Sequence, residues 1–231
     1  MNKLSKDRDW YINLAFCLFS FLGLFIVPVI ISSAFKHVIK NTYLISILGS
    51  VVLIMILTMF YYKDLKQEFK IFKNNFSKCF RTGLRYYIVG ILGMVVTSLI
   101  VTNITGGTSA NENSVRELLV AYPVFMFINI SIIAPLSEEL IFRKSISPLI
   151  KNKWFRAITS GVLFGMAHLL TGDAIKLVDL LFIFPYGSLG FVFSLMDYDT
   201  NTTFTSITYH ALHNTMTGIL LLLISSMGVA I

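Results

Sequence analysis

Seven stretches of this chain are candidate membrane spans, and this limits what it can fold into before any motif is read. With soft edges they run from Trp10 to Phe35, Tyr43 to Tyr62, Tyr86 to Val101, Leu118 to Phe142, Trp154 to Leu170, Leu177 to Met196 and Phe204 to Ala230. A spanning helix needs roughly 20 mostly apolar residues, and in lipid a helix satisfies its backbone polar groups within its own segment. Charged residues make up only 13% of the 231, about half the share of a soluble domain. The expected architecture is an all-α, polytopic membrane helix bundle of about seven or eight transmembrane helices, eight if the long last run is broken. No linker, repeat or low-complexity segment divides the chain, so residues 1–231 read as a single integral membrane domain. Lys3, Lys6 and Arg8 before the first run, and Ser32 and Ala34 near its end, imitate a signal peptide. The run exceeds the about 7–15 residues of a signal h-region and reads as a retained anchor.

The formal net charge is +7, unevenly spread. The segment 63–85 (KDLKQEFKIFKNNFSKCFRTGLR) holds seven of the nineteen basic residues, Arg143 to Arg156 five, and the N-terminus three. Placing these on the cytoplasmic side gives a cytoplasmic N-terminus, with Asn103 to Arg116 and the loop around Asp173 outside. The loop Asp197 to Thr203 then falls on the cytoplasmic side, although it carries no lysine or arginine. Phe69, Phe72, Phe76 and Phe80 among the lysines of 63–85 suggest an amphipathic interfacial helix facing anionic lipid. No nucleic-acid recognition module accompanies the charge, so nucleic acid is not an expected partner. Cys17 and Cys79 make no metal-binding spacing and no expected disulfide.

Ionisable groups inside spanning helices cost about 2.5–3.5 kcal/mol each on insertion scales and mark function. Glu138 and Glu139 lie late in the fourth run, His168 in the fifth, and His210, His213 and Asn214 in the seventh. Adjacent helical residues diverge by about 100°, so the two glutamates cannot share one task. Glu139 and Arg143, at i and i+4, can pair on one face. Glu138 is left less constrained, a candidate general base. A structural ion-pair cluster at the membrane edge is the competing reading of the same residues.

Ala157, Gly161, Gly165 and His168 share a helix face, and small residues at that spacing admit a close neighbour, so His168 should face the bundle. If the fourth and fifth runs form a hairpin turning near residue 153, Glu138 and His168 sit at one depth. Ser206, His210, His213, Asn214 and Thr217 form a polar stripe on the last run. His210 and Asn214 project together, suited either to holding an oxyanion or to bonding a neighbouring helix.

Taken in order, EExxxR (Glu138, Glu139, Arg143), FxxxH (Phe164, His168) and HxxxN (His210, Asn214) resemble the motif set of the CPBP family, the CAAX proteases and bacteriocin-processing intramembrane proteases, also called the Abi family. The resemblance covers Leu118 to the end, so 118–231 would be the catalytic core; the first three runs carry no motif. It implies an intramembrane endopeptidase whose polar cavity lies between helices. Glu138, helped by His168, would activate water; His210 and Asn214 would stabilise the oxyanion; Glu139, Arg143 and Phe164 would shape the site. His213 has no role in that pattern. Members have been described both as zinc enzymes and as metal-free ones. Glu138, His168 and His210 would be the ligands of a zinc ion, but these histidines lack a compact ligand motif, so no obligatory cofactor is expected.

The implied substrate is a small peptide or a prenylated or lipid-associated protein, cut in bacteriocin maturation, self-immunity or peptide-pheromone processing. The Ile, Phe, Lys and Asn content suits a bacterial cell membrane. The alternative from a different class is a non-enzymatic immunity or adaptor protein that binds a peptide or a transporter. A proton-coupled transporter is a weaker third reading, because no internal repeat is visible.

Overall fold

The computed structural model describes residues 8–170 and 176–228. Lys3, Lys6 and the loop around Asp173 lie outside the described residues. Eight helices follow one another, with no strand among the described residues: α1 Trp10–Phe35, α2 Thr42–Asn74, α3 Phe76–Thr105, α4 Ala110–Ala121, α5 Pro123–Lys144, α6 Lys153–Ala167, α7 Ile183–Thr200, preceded by a 3-10 turn Leu177–Phe182, and α8 Thr203–Ser226. Their ends follow local chemistry. The Asn41 side chain accepts from the N–H groups of Tyr43 and Leu44 to start α2, and Asn152 accepts from Phe155 N–H at 3.0 Å to start α6. Gly106 (φ 74°) ends α3 in the left-handed region, as Asn201 (φ 55°) ends α7.

Among the described residues six spans are long and apolar enough to cross a membrane, and the protein is an integral membrane helix bundle. The expected fifth span is α6, only 15 residues. At 1.5 Å per residue it is about 22 Å long, against a hydrocarbon core of about 30 Å. Among the described residues the last run is one unbroken helix, Thr203–Ser226, so the eighth helix does not come from a break there. It is α4, which begins inside the stretch read as an outer loop and ends where the fourth apolar run divides. That division falls at Tyr122–Pro123, because Pro123 has no N–H with which to continue α4.

The basic segment 63–85 is not a separate interfacial helix. It is the tip of a helical hairpin that turns at Asn75. α2 has 33 residues, about 50 Å, so it overhangs the hydrocarbon core. Phe69 and Phe72 pack on Phe204 at the start of α8 (ring centroids 5.3 and 6.1 Å), while Phe69, Phe76 and Phe80 each remain about half exposed. The two acids of this tip, Asp64 and Glu68, turn inward and are buried. The cation-free loop after α7 lies at the same end of the bundle as the basic clusters: Asp197 pairs with Arg156 (2.9 Å) and Asp199 with Lys153 (2.8 Å).

α6 and α7 meet along the small-residue face expected for α6. A Cβ at Gly161 would stand 2.9 Å from Gly187 O, and one at Gly165 2.6 Å from Ile183 O. Both obstacles are backbone, so the helices must separate to admit a methyl group. Gly165→Ala is therefore expected to destabilise the protein by about 1–3 kcal/mol, read as a lower unfolding midpoint in detergent. A variant as stable as the parent would show that this contact is not close.

Candidate active site

The fourth run reaches the site through two widened turns that flank the glutamates. In the first, Asn129–Ile133, the Ala134 N–H bonds back to Asn129 O, one residue further than in an α-helix. The next residue is Pro135, which has no N–H. Both backbone donors that normally reach the Ile130 carbonyl are thereby removed. The Asn214 amide fills the place, with Nδ2 donating to Ile130 O at 2.9 Å. In the second, Leu140–Lys144, Ser145 N–H bonds to Leu140 O at 3.1 Å. The Ile141 carbonyl then accepts from Ser145 Oγ (2.5 Å) and the Phe142 carbonyl from Ser160 Oγ of α6 (2.8 Å). Such widened turns occur often at functional sites. Here they are held by side chains, two of them from other helices.

Glu139 and Arg143 form the expected ion pair, Oε1 to Nη1 at 3.2 Å, with both side chains fully buried. The guanidinium lies over the rings of Phe164 (4.6 Å) and Phe193 (5.4 Å) and donates to Gly190 O at 3.2 Å. The same Glu139 oxygen is 2.9 Å from His210 Nδ1. A proton on Nδ1, donated to that carboxylate, turns Nε2 toward the substrate side. Nε2 stands 3.7 Å from Glu138 Oε2, and the Glu138 side chain is one-fifth exposed (20%) whereas Glu139 is at 0%. The two neighbouring acids have therefore separated as helix geometry requires, Glu139 into a buried bracket for His210 and Glu138 toward an open position.

His168 ends α6. Its Nδ1 lies 2.8 Å from the Phe164 carbonyl, and its ring stacks on Tyr186 at 4.3 Å and 20°. Glu138 is within electrostatic reach of it. Phe142 and Phe164 meet edge to face at 5.5 Å, which joins the fourth and fifth runs. Phe164 is the hub of the cluster, touching Phe142, His168 (4.5 Å), His210 (5.6 Å) and Arg143. His213 faces elsewhere: its Nδ1 is 3.3 Å from the Tyr87 hydroxyl of α3.

The sequence reading passed over α7. Tyr186 under His168, Gly190 against Arg143 and Phe193 under His210 (4.9 Å, 24°) lie at i, i+4 and i+7 on one face of that helix. The spacing is visible in YGSLGFVF, but the helix is apolar all round, so periodicity does not single out a face. The Tyr186 hydroxyl is fixed in turn by Ser109 Oγ (2.6 Å) and Asn111 Nδ2 (3.3 Å) at the start of α4.

The zinc set Glu138, His168 and His210 does not fit a metal as arranged. Among the described residues no three His, Cys, Asp or Glu side chains group closely enough to hold one. His210 Nδ1 is taken by Glu139, and only its Nε2 and Glu138 face one another.

A family model described as type II CAAX prenyl endopeptidase Rce1-like matches residues 120–216, the stretch that contains all three motifs. Over this stretch the chain is similar to the CPBP family. Similar curated proteins include the putative membrane peptidase YdiL of Bacillus subtilis (strain 168), 27% identical over 143 residues, 61% of this chain and 49% of that protein. The membrane-embedded CAAX protease MroQ of Staphylococcus aureus (strain USA300) is 33% identical over 146 residues, 57% of this chain and 53% of its own. An uncharacterized protein of Mycoplasma capricolum is 30% identical over 157 residues, 62% and 44% of the two chains. The chain spans about half the length of the curated relatives it matches. No solved structure matches it.

Proposed function

We propose that this protein is a CPBP-family intramembrane endopeptidase of the CAAX-protease type, cutting a small peptide or a lipid-associated protein. One observation carries the reading: a partly exposed carboxylate, Glu138, faces a histidine, His210, whose other nitrogen is clamped by a buried carboxylate. Glu138 takes a proton from a water that it shares with His168, and the water oxygen attacks the scissile carbonyl. Charge develops on the carbonyl oxygen, where the second amide N–H of Asn214 is the available donor; His210 would add an Nε2–H donor only with a second proton besides the Nδ1 proton given to Glu139. Glu138 then passes its proton to the leaving amine as the C–N bond breaks. The water has by then been divided between the new carboxyl and the new amine. The low-dielectric surroundings of Phe164, Phe193 and Tyr186 strengthen each of these interactions.

The test compares, by mass spectrometry, small peptides in membranes and medium of cells carrying the parent or Glu138→Ala at equal levels. A cleaved peptide present only with the parent is expected; it would name the substrate and distinguish bacteriocin maturation, self-immunity and pheromone processing. Identical profiles, with any phenotype kept by the variant, would leave a non-enzymatic binding protein.

The proposed location is a bacterial cell membrane with the N-terminus and the 63–85 hairpin cytoplasmic. Support comes from the charge: Asp64 and Glu68 are engaged by Arg8 and Lys144, and among the described residues none of the hairpin's seven basic side chains forms an ion pair. That outward surface fits anionic lipid headgroups. In intact cells a membrane-impermeant thiol reagent should label a cysteine placed at Asn113 and spare one placed at Lys70. The opposite pattern would invert the topology.

A further inference from the structure

The site is built by the C-terminal half, yet a buried carboxylate from the motif-free half is wired into it. Glu68 of α2 is 4% exposed. Its Oε1 accepts from Lys144 Nζ at 2.5 Å, and its Oε2 accepts from the backbone N–H of Thr203 at 3.0 Å. Lys144 is itself buried (1%) and follows Arg143 directly in the second widened turn. Thr203 is the first residue of α8, the helix that carries His210 and Asn214. One carboxylate thus ties together the two elements whose relative position sets the Glu138–His210 and Glu139–His210 distances.

The arrangement is reinforced from both sides. Asp64, one turn before Glu68, engages Arg8 and lies 4.0 Å from Lys144. Asp197 of α7 accepts from Thr203 Oγ1 (2.8 Å) and from Arg156 of α6 (2.9 Å). Two carboxylates therefore converge on the N-terminus of α8, where its unpaired N–H groups and its dipole favour negative charge. His210 lies seven residues further on, about 10 Å along the axis, and Glu139 is one widened turn before Lys144. A shift of α8 along its axis is resisted at Thr203 before it reaches His210.

We propose that Glu68, with Lys144, is a positioning residue of the site: it sets the register of α8 against the glutamate-bearing turn. This rests on the endopeptidase reading for its kinetic consequence but not for its geometry. The test uses the full-length protein in detergent or nanodiscs, as the parent, as Glu68→Gln, and as Glu68→Gln/Lys144→Met. The double variant removes the stranded ammonium if the single variant folds poorly. Three quantities are read: the unfolding midpoint, kcat and KM on the peptide identified above, and the downfield imidazole N–H proton resonance of His210, assigned by its loss in His210→Gln.

The double variant is expected to regain a midpoint near the parent's. Its kcat should stay about 10²-fold low, the scale for a displacement of about 1 Å, with KM within a few-fold, and its His210 resonance should be shifted or broadened. A folded double variant with parental kcat and a parental resonance would overturn the proposal and leave Glu68 as packing. If the parent cuts no peptide, the endopeptidase reading fails separately. The resonance then decides the geometry alone: displaced in the double variant, it supports the tie; unchanged, it refutes it.

Discussion

Glu138→Gln is expected to lower the cleavage rate by about 10²–10⁴-fold, the range for removing a general acid–base group, with the unfolding midpoint almost unmoved. The reason lies in the contrast between the two neighbouring acids. Glu138 has 20% of its side chain exposed and stands 3.7 Å from His210 Nε2, too far for a hydrogen bond. Little of the fold's stability therefore depends on its charge, and the amide is close to it in size. The fall should appear in kcat with KM little changed, because proton transfer belongs to the transition state rather than to substrate binding. Full-rate cleavage by Glu138→Gln would remove Glu138 as the base and shift attention to His168. A large loss of stability would instead favour the structural ion-pair reading of EExxxR.

The parts of this site legible in the sequence are those that depend on one helix at a time. Glu139 and Arg143 could be paired from their spacing, and the face Ala157, Gly161, Gly165, His168 from its small residues. The depth match between Glu138 and His168 needed only a hairpin and a count of residues. What stayed hidden depends on contacts between helices. The widened turn at Asn129–Ile133 has no periodic signature. It exists because Pro135 lacks an N–H and Asn214, 84 residues away in sequence, supplies one to Ile130. Glu68 is one of two acids in a basic segment, and only the packing of α2 against α8 turns it inward. The oxyanion role implied for Asn214 must accordingly share that side chain with a structural bond. The same packing accounts for the cation-free loop after α7, whose acids are neutralised by Lys153 and Arg156 from the preceding basic cluster.

The largest stability effect is expected at Arg143. Its guanidinium is buried between Phe164 and Phe193 and faces Glu139 at 3.2 Å. Arg143→Met strands the Glu139 carboxylate in an apolar setting, and breaking such a pair costs about 3–5 kcal/mol. Glu139→Leu strands the guanidinium at similar cost and also leaves His210 Nδ1 without its acceptor. The double variant Glu139→Leu/Arg143→Met leaves neither charge. Replacing a buried pair by apolar groups of similar volume is often neutral or stabilising, so the double variant should be more stable than either single one, with a coupling of about 0.5–3 kcal/mol. Its cleavage should nevertheless remain lost, because nothing then holds His210 with Nε2 toward Glu138. A chevron or denaturant series on the four proteins, set beside their kcat values, separates the two roles. If the double variant were as unstable as the sum of the singles, the pair would not be coupled as its 3.2 Å contact requires. If it cleaved at the parental rate, the Glu139–His210 bond would be packing rather than alignment, and the protease reading would rest on Glu138 and His168 alone.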